Sequence, residues 1–336
     1  MLLWVVMSIK FIFNNEADVF GGQERYAKDV ISSLVCNGYE VLFEGTPLSL
    51  SKYALNIPKN KADVRFLNGN RVLFKSLTKR KQTEFWVYVQ HSNIEDSQGR
   101  WYKKIVRKVL VRLCLRRVDL VIRVCENALP SLYSKNKIIT IYNGVDLPKE
   151  SSITEVNAGE DIRLLMVGSV NENKNQKLAI ETLAILPNAI LTIVGEGVDS
   201  KLLQDYANEL GVGGRVNWTG FVDDPSEYYK DAHFLLMLSK FEAFPYSVLE
   251  AMSYGTPVIS VAVGGVPELI EDRNNGWILN QADSDSLRAK IIDIVDNPTI
   301  YLKNAYSARS AIENNFTKDK MFSVLINEIK KGLNLL

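Results

Sequence analysis

The sequence predicts two doubly wound α/β domains, each a parallel sheet with helices on both faces. Three observations carry this. The chain has 336 residues, a length that favours two domains over one. Short apolar runs recur along it, many apolar throughout and not alternating, as strands covered on both faces should be. Between them lie segments with helical periodicity, and strand–helix alternation implies right-handed crossovers and parallel pairing.

The opening stretch MLLWVVMSIKFIF is apolar but interrupted by Lys10. It lacks a basic leader and a small-residue cleavage site and is too short to span a bilayer, so it reads as a buried first strand. No other segment reaches the eighteen or so apolar residues of a membrane helix. YEVLFE, ADVRFL, EFWVYVQ, VDLVIRV and KIITIY follow as strands of the first domain. A polar stretch of weak periodicity, LPKESSITEVNAGED (147–161), marks the boundary. IRLLMVGS, AILTIVGEG, RVNWTGF, HFLLMLS and TPVISVA are strands of the second domain, with helices such as NQKLAIETLAIL and SKLLQDYANELG between them. From about Pro298 the pattern is helical to the end. The expected organisation is a domain over 1–146, a second over 147–315, and a final helix over 316–336 packing back on the first.

Composition narrows the function classes. The chain is 46% hydrophobic and 24% charged, ordinary for a globular protein. Three cysteines, Cys36, Cys114 and Cys125, form no CxxC pair, and only two histidines exist, His91 and His233. Neither a disulfide framework nor a zinc centre is suggested, and a reducing cytoplasm fits. The net charge of +1 hides an asymmetry. Residues 1–150 hold 24 Lys and Arg against 14 Asp and Glu, whereas the remainder holds 16 against 25. The first half is therefore expected to meet something anionic.

Ligands of doubly wound domains sit at the carboxyl ends of the strands, so two such domains place the expected site in the cleft between them. FEAFPYSVLEAMSYGTPVIS (241–260) lies in such a position and carries two glutamates, Glu242 and Glu250. Strand HFLLMLS ends at Ser239, which puts Glu242 in the loop at a strand's carboxyl end. Ser247 reads as a helix N-cap with Glu250 three residues on, an S-x-x-E capping box, so one reading of Glu250 is structural. Eight residues along a single helix would turn about 800° and separate the two carboxylates, whereas a loop followed by a helix start lets both face one site. The amides of Tyr246, Ser247 and Val248 at that helix start form an anion site. A carboxylate beside it is suited to accepting hydrogen bonds from hydroxyls, which sugars and riboses offer.

These residues resemble a known family. FEAFPYSVLEAMSYGTPVIS, GGVPELI and NGWIL are similar to the E-x7-E region of family 4 retaining glycosyltransferases, which have the GT-B fold. FGGQERYAKDV resembles that family's glycine loop after the first strand, IYNGVD its N-G-V-D segment at the domain junction, and VGSVNENKNQKLAIETLAIL its phosphate loop with the following helix. The resemblance runs over nearly the whole chain, with the motifs in order.

The resemblance implies roles for individual residues. Glu242 would bind hydroxyls of the donor sugar near the reacting carbon and stabilise the transition state. Glu250 would hold the ribose diol. Lys174, otherwise a solvated lysine before a helix, would neutralise the donor diphosphate. Gly21 and Gly22 would let the backbone approach that diphosphate or simply make a loop-to-helix turn; Gly264 and Gly265 have the same two readings. Phe244, Pro245, Tyr246, Ser247 and Val248 would line the donor site. His91, which ends EFWVYVQ, matches a histidine of the donor or acceptor pocket, though a lone histidine is also commonly a satisfied polar residue. The family commonly has Arg after the glycine of its phosphate loop; here Ser169 follows Gly168, removing one guanidinium, and Lys177 or Asn173 could assist Lys174.

The implied activity is retaining, metal-independent transfer from a UDP- or GDP-sugar, with no cofactor, to a glycan acceptor, lipid-linked, in bacterial capsule or O-antigen assembly. The segment RWYKKIVRKVLVRLCLRR (100–117) carries eight Lys and Arg and no acid. Trp101, Ile105, Val106, Val109 and Leu113 share one broad face, with Arg100, Lys104, Arg107 and Lys108 largely on the other. This basic amphipathic helix, with a second basic run RVLFKSLTKRK at 71–81, reads either as docking on anionic lipid at the cytoplasmic leaflet or as an ordinary packed helix with a solvated basic face. No nucleic-acid motif accompanies the charge. The expected location is cytoplasmic, peripheral on the inner face of the membrane.

Three other classes stay open. A nicotinamide dehydrogenase needs G-x-G-x-x-G after a first strand, and VGEGVDS has only two of the glycines. A GT-B sugar-nucleotide epimerase would share the architecture. A non-catalytic glycan-assembly partner would explain the missing arginine.

Overall fold

The computed structural model describes residues 9–16, 21–46, 48–54, 63–76, 83–92, 101–129, 137–149, 153–156 and 159–335, without the side chains of Trp101, Lys103 and Lys104. The chain forms two compact units, one of residues 1–143 and 318–336 and one of 144–317. It leaves the first unit at Asn143 and re-enters it at Lys318.

The first unit has β1 (Lys10–Asn15), α1 (Gly22–Cys36), β2 (Glu40–Gly45), β3 (Val64–Asn68), α2 (Asn70–Ser76), β4 (Phe85–Gln90), α3 (Trp101–Leu115), β5 (Leu120–Arg123) and β6 (Lys137–Thr140). The strands form one parallel sheet in the order β2-β1-β3-β4-β5-β6. Phe66 of β3 stacks on Phe11 and Phe13 of β1, and all three rings are buried. On β4, Trp86 and Tyr88 join Leu67, Val72, Leu73, Val111 and Leu115 in a core under α2 and α3.

The second unit has β7 (Ile162–Val167), α4 (Gln176–Ile185), β8 (Ala189–Val194), α5 (Ser200–Glu209), β9 (Val216–Gly220), α6 (Ser226–Asp231), β10 (Phe234–Met237), α7 (Tyr246–Tyr254), β11 (Val258–Val261), α8 (Val266–Leu269), β12 (Trp277–Leu279), α9 (Ser284–Val295) and α10 (Pro298–Asn315). Its parallel sheet runs β12-β11-β10-β7-β8-β9. Every residue of β10 and β11 is buried, whereas edge strand β9 buries only Val216. The uniformly apolar runs thus belong to interior strands, as hydrophobic burial on both faces requires. The last helix, α11 (Lys318–Gly332), returns to the first unit, where Lys318 pairs with Asp29 of α1 at 3.3 Å and Gly332 lies under the Phe85 ring.

Two readings change here. The sequence does not reveal β12: three residues are too few to show a period. The polar stretch 147–161 is not a boundary. Its described residues belong to the second unit, where Val156 enters the core and the Thr154 carbonyl accepts from the Tyr301 hydroxyl at 2.8 Å. The chain instead crosses at Asn143–Gly144 and Thr317–Lys318. Val145 and Thr317, beside those crossings, pair as a β-bridge, with the Val145 amide donating to the Phe316 carbonyl at 3.0 Å.

Candidate functional site

In each sheet the chain builds outward from one strand, then returns to add strands on that strand's other side. The loops leaving the two neighbours at this reversal diverge, opening a crevice at the strands' carboxyl ends. In the second unit the reversal lies between β7 and β10, in the first between β1 and β3. Each crevice holds a connected set of polar side chains.

In the second unit, the loop after β7 carries Lys174 and the loop after β10 carries Glu242. Lys174 Nζ lies 2.6 Å from Glu242 Oε1, with both side chains mostly buried. Three features fix this contact. Gly168 has φ 137°, and its missing Cβ would lie 3.3 Å from Lys174 Cε, so the lysine stem passes over bare backbone. Asn173 stitches the loops together: its carbonyl accepts from the Lys240 amide (2.8 Å), its Oδ1 from the Phe241 amide (3.0 Å), and its Nδ2 donates to the Phe241 carbonyl (3.1 Å). Gly264, at φ 54°, comes so close to Glu242 that a Cβ there would sit 1.6 Å from the Glu242 carbonyl oxygen. The Gly265 amide then donates to the Ala243 carbonyl at 2.7 Å. Gly264 and Gly265 thus brace the Glu242 loop from behind.

Ser169 is exposed, and its hydroxyl accepts from Asn171 at 3.0 Å. Buried Gln176, the first residue of α4, donates to the Ser169 carbonyl at 3.0 Å and closes the loop.

The capping box on α7 does not form. The helix starts at Tyr246 with Pro245 at the N-cap and no side-chain capping bond, so Ser247 is already in the first turn. Glu250 instead accepts from the hydroxyl of buried Tyr229, on α6, at 2.9 Å. The predicted loop-then-helix arrangement of Glu242 and Glu250 holds. Phe244 and Val248 are core residues; Phe244 packs on Phe316 with ring centroids 5.5 Å apart. A ligand at this helix start would meet their backbone, not their side chains, and first-turn amides have no acceptor within the helix.

In the first unit, Asn15 ends β1, Asn68 ends β3, and both are fully buried. Asn68 Nδ2 donates to Asn15 Oδ1 at 2.7 Å and to the Gln23 carbonyl at 3.1 Å. Gln23 Nε2 donates to Asn15 Oδ1 at 3.0 Å, and Asn15 Nδ2 to the Thr46 carbonyl at 2.6 Å. Because Asn68 uses its amide nitrogen as donor, its Oδ1 is an acceptor, and His91 Nε2, at 2.6 Å, carries the proton. His91 Nδ1 is left as the lone-pair nitrogen. Burial lowers the His91 pKa to about 3, so the ring is neutral. The Tyr26 ring meets it edge-on at 4.9 Å.

Gly21 is exposed and extended, with φ −146°, and is the N-cap of α1, its amide donating to Glu24 Oε2 at 2.9 Å. Gly22 begins the helix.

Sequence reasoning missed Tyr229 and the Asn15–Asn68–Gln23 network; it named Asn173 as a helper of Lys174, not as the residue that joins the two loops. Two asparagines ending two apolar strands, KFIFNN and VRFLN, were the available signal for the network. Among the described residues, no group of three or more His, Cys, Asp or Glu side chains is placed to hold a metal ion.

Two Rossmann-like sheets with polar loops at their reversal points define the architecture of GT-B glycosyltransferases, and solved structures of that class share it. Anabaena HepE in complex with UDP-glucose superposes with a TM-score of 0.80 over 96% of this chain and all of its own, at 18% identity. Residues 149–315, nearly the whole second unit, match the family model for glycosyl transferases group 1, and family and fold together support a glycosyltransferase. An uncharacterized glycosyltransferase of Haemophilus influenzae is 23% identical over 86% of this chain and 91% of its own. An uncharacterized 41.2 kDa protein in the cps region of Klebsiella pneumoniae is 27% identical over 84% of each. Further relatives include glycosyltransferases of lipopolysaccharide synthesis.

Proposed function

We propose that the chain is a retaining, metal-independent glycosyltransferase that moves a sugar from a nucleotide-sugar, UDP- or GDP-linked, to a glycan acceptor, lipid-linked, in bacterial surface-polysaccharide synthesis. The observation that carries this is the Lys174–Glu242 pair at the β7/β10 crevice, beside the start of α7. A cation that can meet a diphosphate and a carboxylate that can meet sugar hydroxyls stand in contact there. Relatives in lipopolysaccharide synthesis and in a cps region support the acceptor class. HepE, crystallised with UDP-glucose, makes a UDP-sugar the first donor to try.

In this reading, Lys174 and the α7 amides meet the charge that develops on the departing diphosphate. The bond from the anomeric carbon to the diphosphate oxygen breaks, and the acceptor oxygen bonds to that carbon on the same face. The acceptor's hydroxyl proton passes to the leaving phosphate. Glu242 orients the donor sugar and stabilises the positive charge at its ring, Glu250 accepts from the ribose diol, and neutral His91 accepts a sugar hydroxyl hydrogen at Nδ1.

Thermal shift with UDP, GDP, ADP, CMP and NAD, each with and without magnesium, tests this. Stabilisation by one nucleoside diphosphate irrespective of magnesium is expected and selects the donor class. Stabilisation by NAD alone overturns the reading. No shift with any of them favours a non-catalytic assembly partner, the second reading, for which Ser169 in the phosphate loop is the specific observation.

A further inference from the structure

Helix α3 is apolar on two sides, one packed inward and one facing outward. Its inner face, against the first unit, carries Val111, Cys114 and Leu115, all buried, flanked by half-buried Arg107 and Lys108. Its outer face carries Tyr102, Ile105, Val106, Val109, Leu110 and Leu113, each 42% to 54% exposed. At 3.6 residues per turn these six fall within about 140° of the helix circumference, one continuous apolar stripe. Single exposed hydrophobics are unremarkable, but a stripe of six on one helix marks an interaction surface. Arg100 lies outside the described residues, as do the side chains of Trp101 and Lys104.

We infer that this stripe is a membrane-docking surface that inserts into the headgroup–acyl boundary of an anionic bilayer. Charge selects this occupant. Arg112, Arg116 and Arg117 are exposed at the flanks and carboxyl end of the stripe, and the whole segment 100–117 contains no acid. A second copy packed stripe to stripe would set this basic helix against another of the same charge, with no carboxylate from either helix between them. An anionic leaflet offers complementary partners to both features: acyl chains to the stripe, phosphates to the guanidinium groups that reach up beside it. Helix α3 is 15 residues long and packs one side on the first unit, so the contact it can make with a bilayer is interfacial. The inference stands apart from the transferase reading, since it uses no residue of either crevice.

The test is flotation of the full chain with phosphatidylcholine vesicles, with and without phosphatidylglycerol, for the wild type, V106Q/V109Q and R112Q/R116Q. Sedimentation velocity and a UDP melting shift are run on the same three proteins. Gln keeps the charge count of the valine variant unchanged, and all four positions are exposed, so the fold should survive. Co-flotation only with the anionic vesicles is expected, weakened about tenfold or more by each double variant, with unchanged UDP response. No flotation of the wild type overturns the inference. So does flotation that V106Q/V109Q leaves intact, because binding is then charge alone. A dimer that V106Q/V109Q dissociates also overturns it, because a second copy then covers the stripe. A protein that floats as expected but answers no nucleotide keeps this inference and removes the transferase reading.

Discussion

Lys174 Nζ and Glu242 Oε1 lie 2.6 Å apart although the residues are 68 positions apart in sequence. The pair joins the group assigned to the diphosphate and the group assigned to the sugar, so each neutralises the other until a donor arrives. This predicts opposite effects on binding. E242Q releases Lys174 and should bind UDP as tightly as the wild type or more so, while turnover falls about a hundredfold or more. K174M removes the cation and should weaken UDP about tenfold or more. Calorimetric titration with UDP and initial rates on both variants check this; UDP binding lost in E242Q would remove the assigned division of labour.

Glu250 accepts from buried Tyr229, and the start of α7 carries no side-chain cap, so replacing Glu250 should not shorten the helix. E250Q keeps an acceptor for that hydroxyl, and its Tm should stay within about 2 °C of the wild type. Nucleotide affinity should fall about tenfold as the charged acceptor for the ribose diol is lost. Y229F should give a smaller loss in affinity by removing one bond that orients the carboxylate. A large drop in Tm for E250Q with unchanged nucleotide binding would make Glu250 structural.

Burial lowers the pKa of His91 to about 3, and burial followed by the Arg163 charge lowers that of His233 to about 4. Both folded values lie below the ordinary value near 6.5, so the unfolded chain binds more protons at mildly acid pH. Their contribution to stability is complete above about pH 6.5 and is lost as pH falls toward 4 and then 3. Urea unfolding across this window should show the decline, and H233N, which keeps an acceptor for the Arg163 amide, should make it shallower. For the same reason the rate should show no limb from His91 between about pH 5 and 8. An H91N enzyme that lost a limb present in the wild type would overturn this.

Gly264 touches the Glu242 carbonyl in a left-handed conformation. G264A combines backbone strain with an overlap that only movement of the Glu242 loop relieves. We expect a loss of more than about 2 kcal/mol in stability and a fall in Tm of about 5 °C or more, measured by calorimetry. Turnover should fall with it, because the displaced loop carries Glu242. An unchanged Tm would show that the loop yields freely.

The legible parts of the fold were those where local pattern and tertiary environment agree. FLLM is apolar throughout, and VISV is apolar but for buried Ser260, because both strands are interior, and their character can be read without knowing their neighbours. WIL could not be read, because three residues have no measurable period. The site was legible by position: Lys174 and Glu242 each follow a strand, and strand ends are where such sheets hold ligands. That these two touch was not legible, since it depends on β7 and β10 being neighbours, a fact of sheet order. Ser247 and Glu250 show the opposite failure. Their spacing satisfies a local rule, but Pro245 takes the N-cap position two residues before Ser247, and Tyr229 donates to the carboxylate. The apolar stripe of α3 was visible as a stripe, but only packing reveals which way it faces.

The bridge between Val145 and Thr317 makes the second unit a removable cassette. Its two ends are adjacent, so a segment of 144–317 could be excised, expressed alone, or exchanged for that of a relative without stretching either junction. The first unit has no such freedom. A fragment ending at Asn143 would lack α11, and with it the Lys318–Asp29 pair and the cover over Phe85. Dissection of this protein should therefore take the middle of the gene as one piece and join the two outer segments as the other.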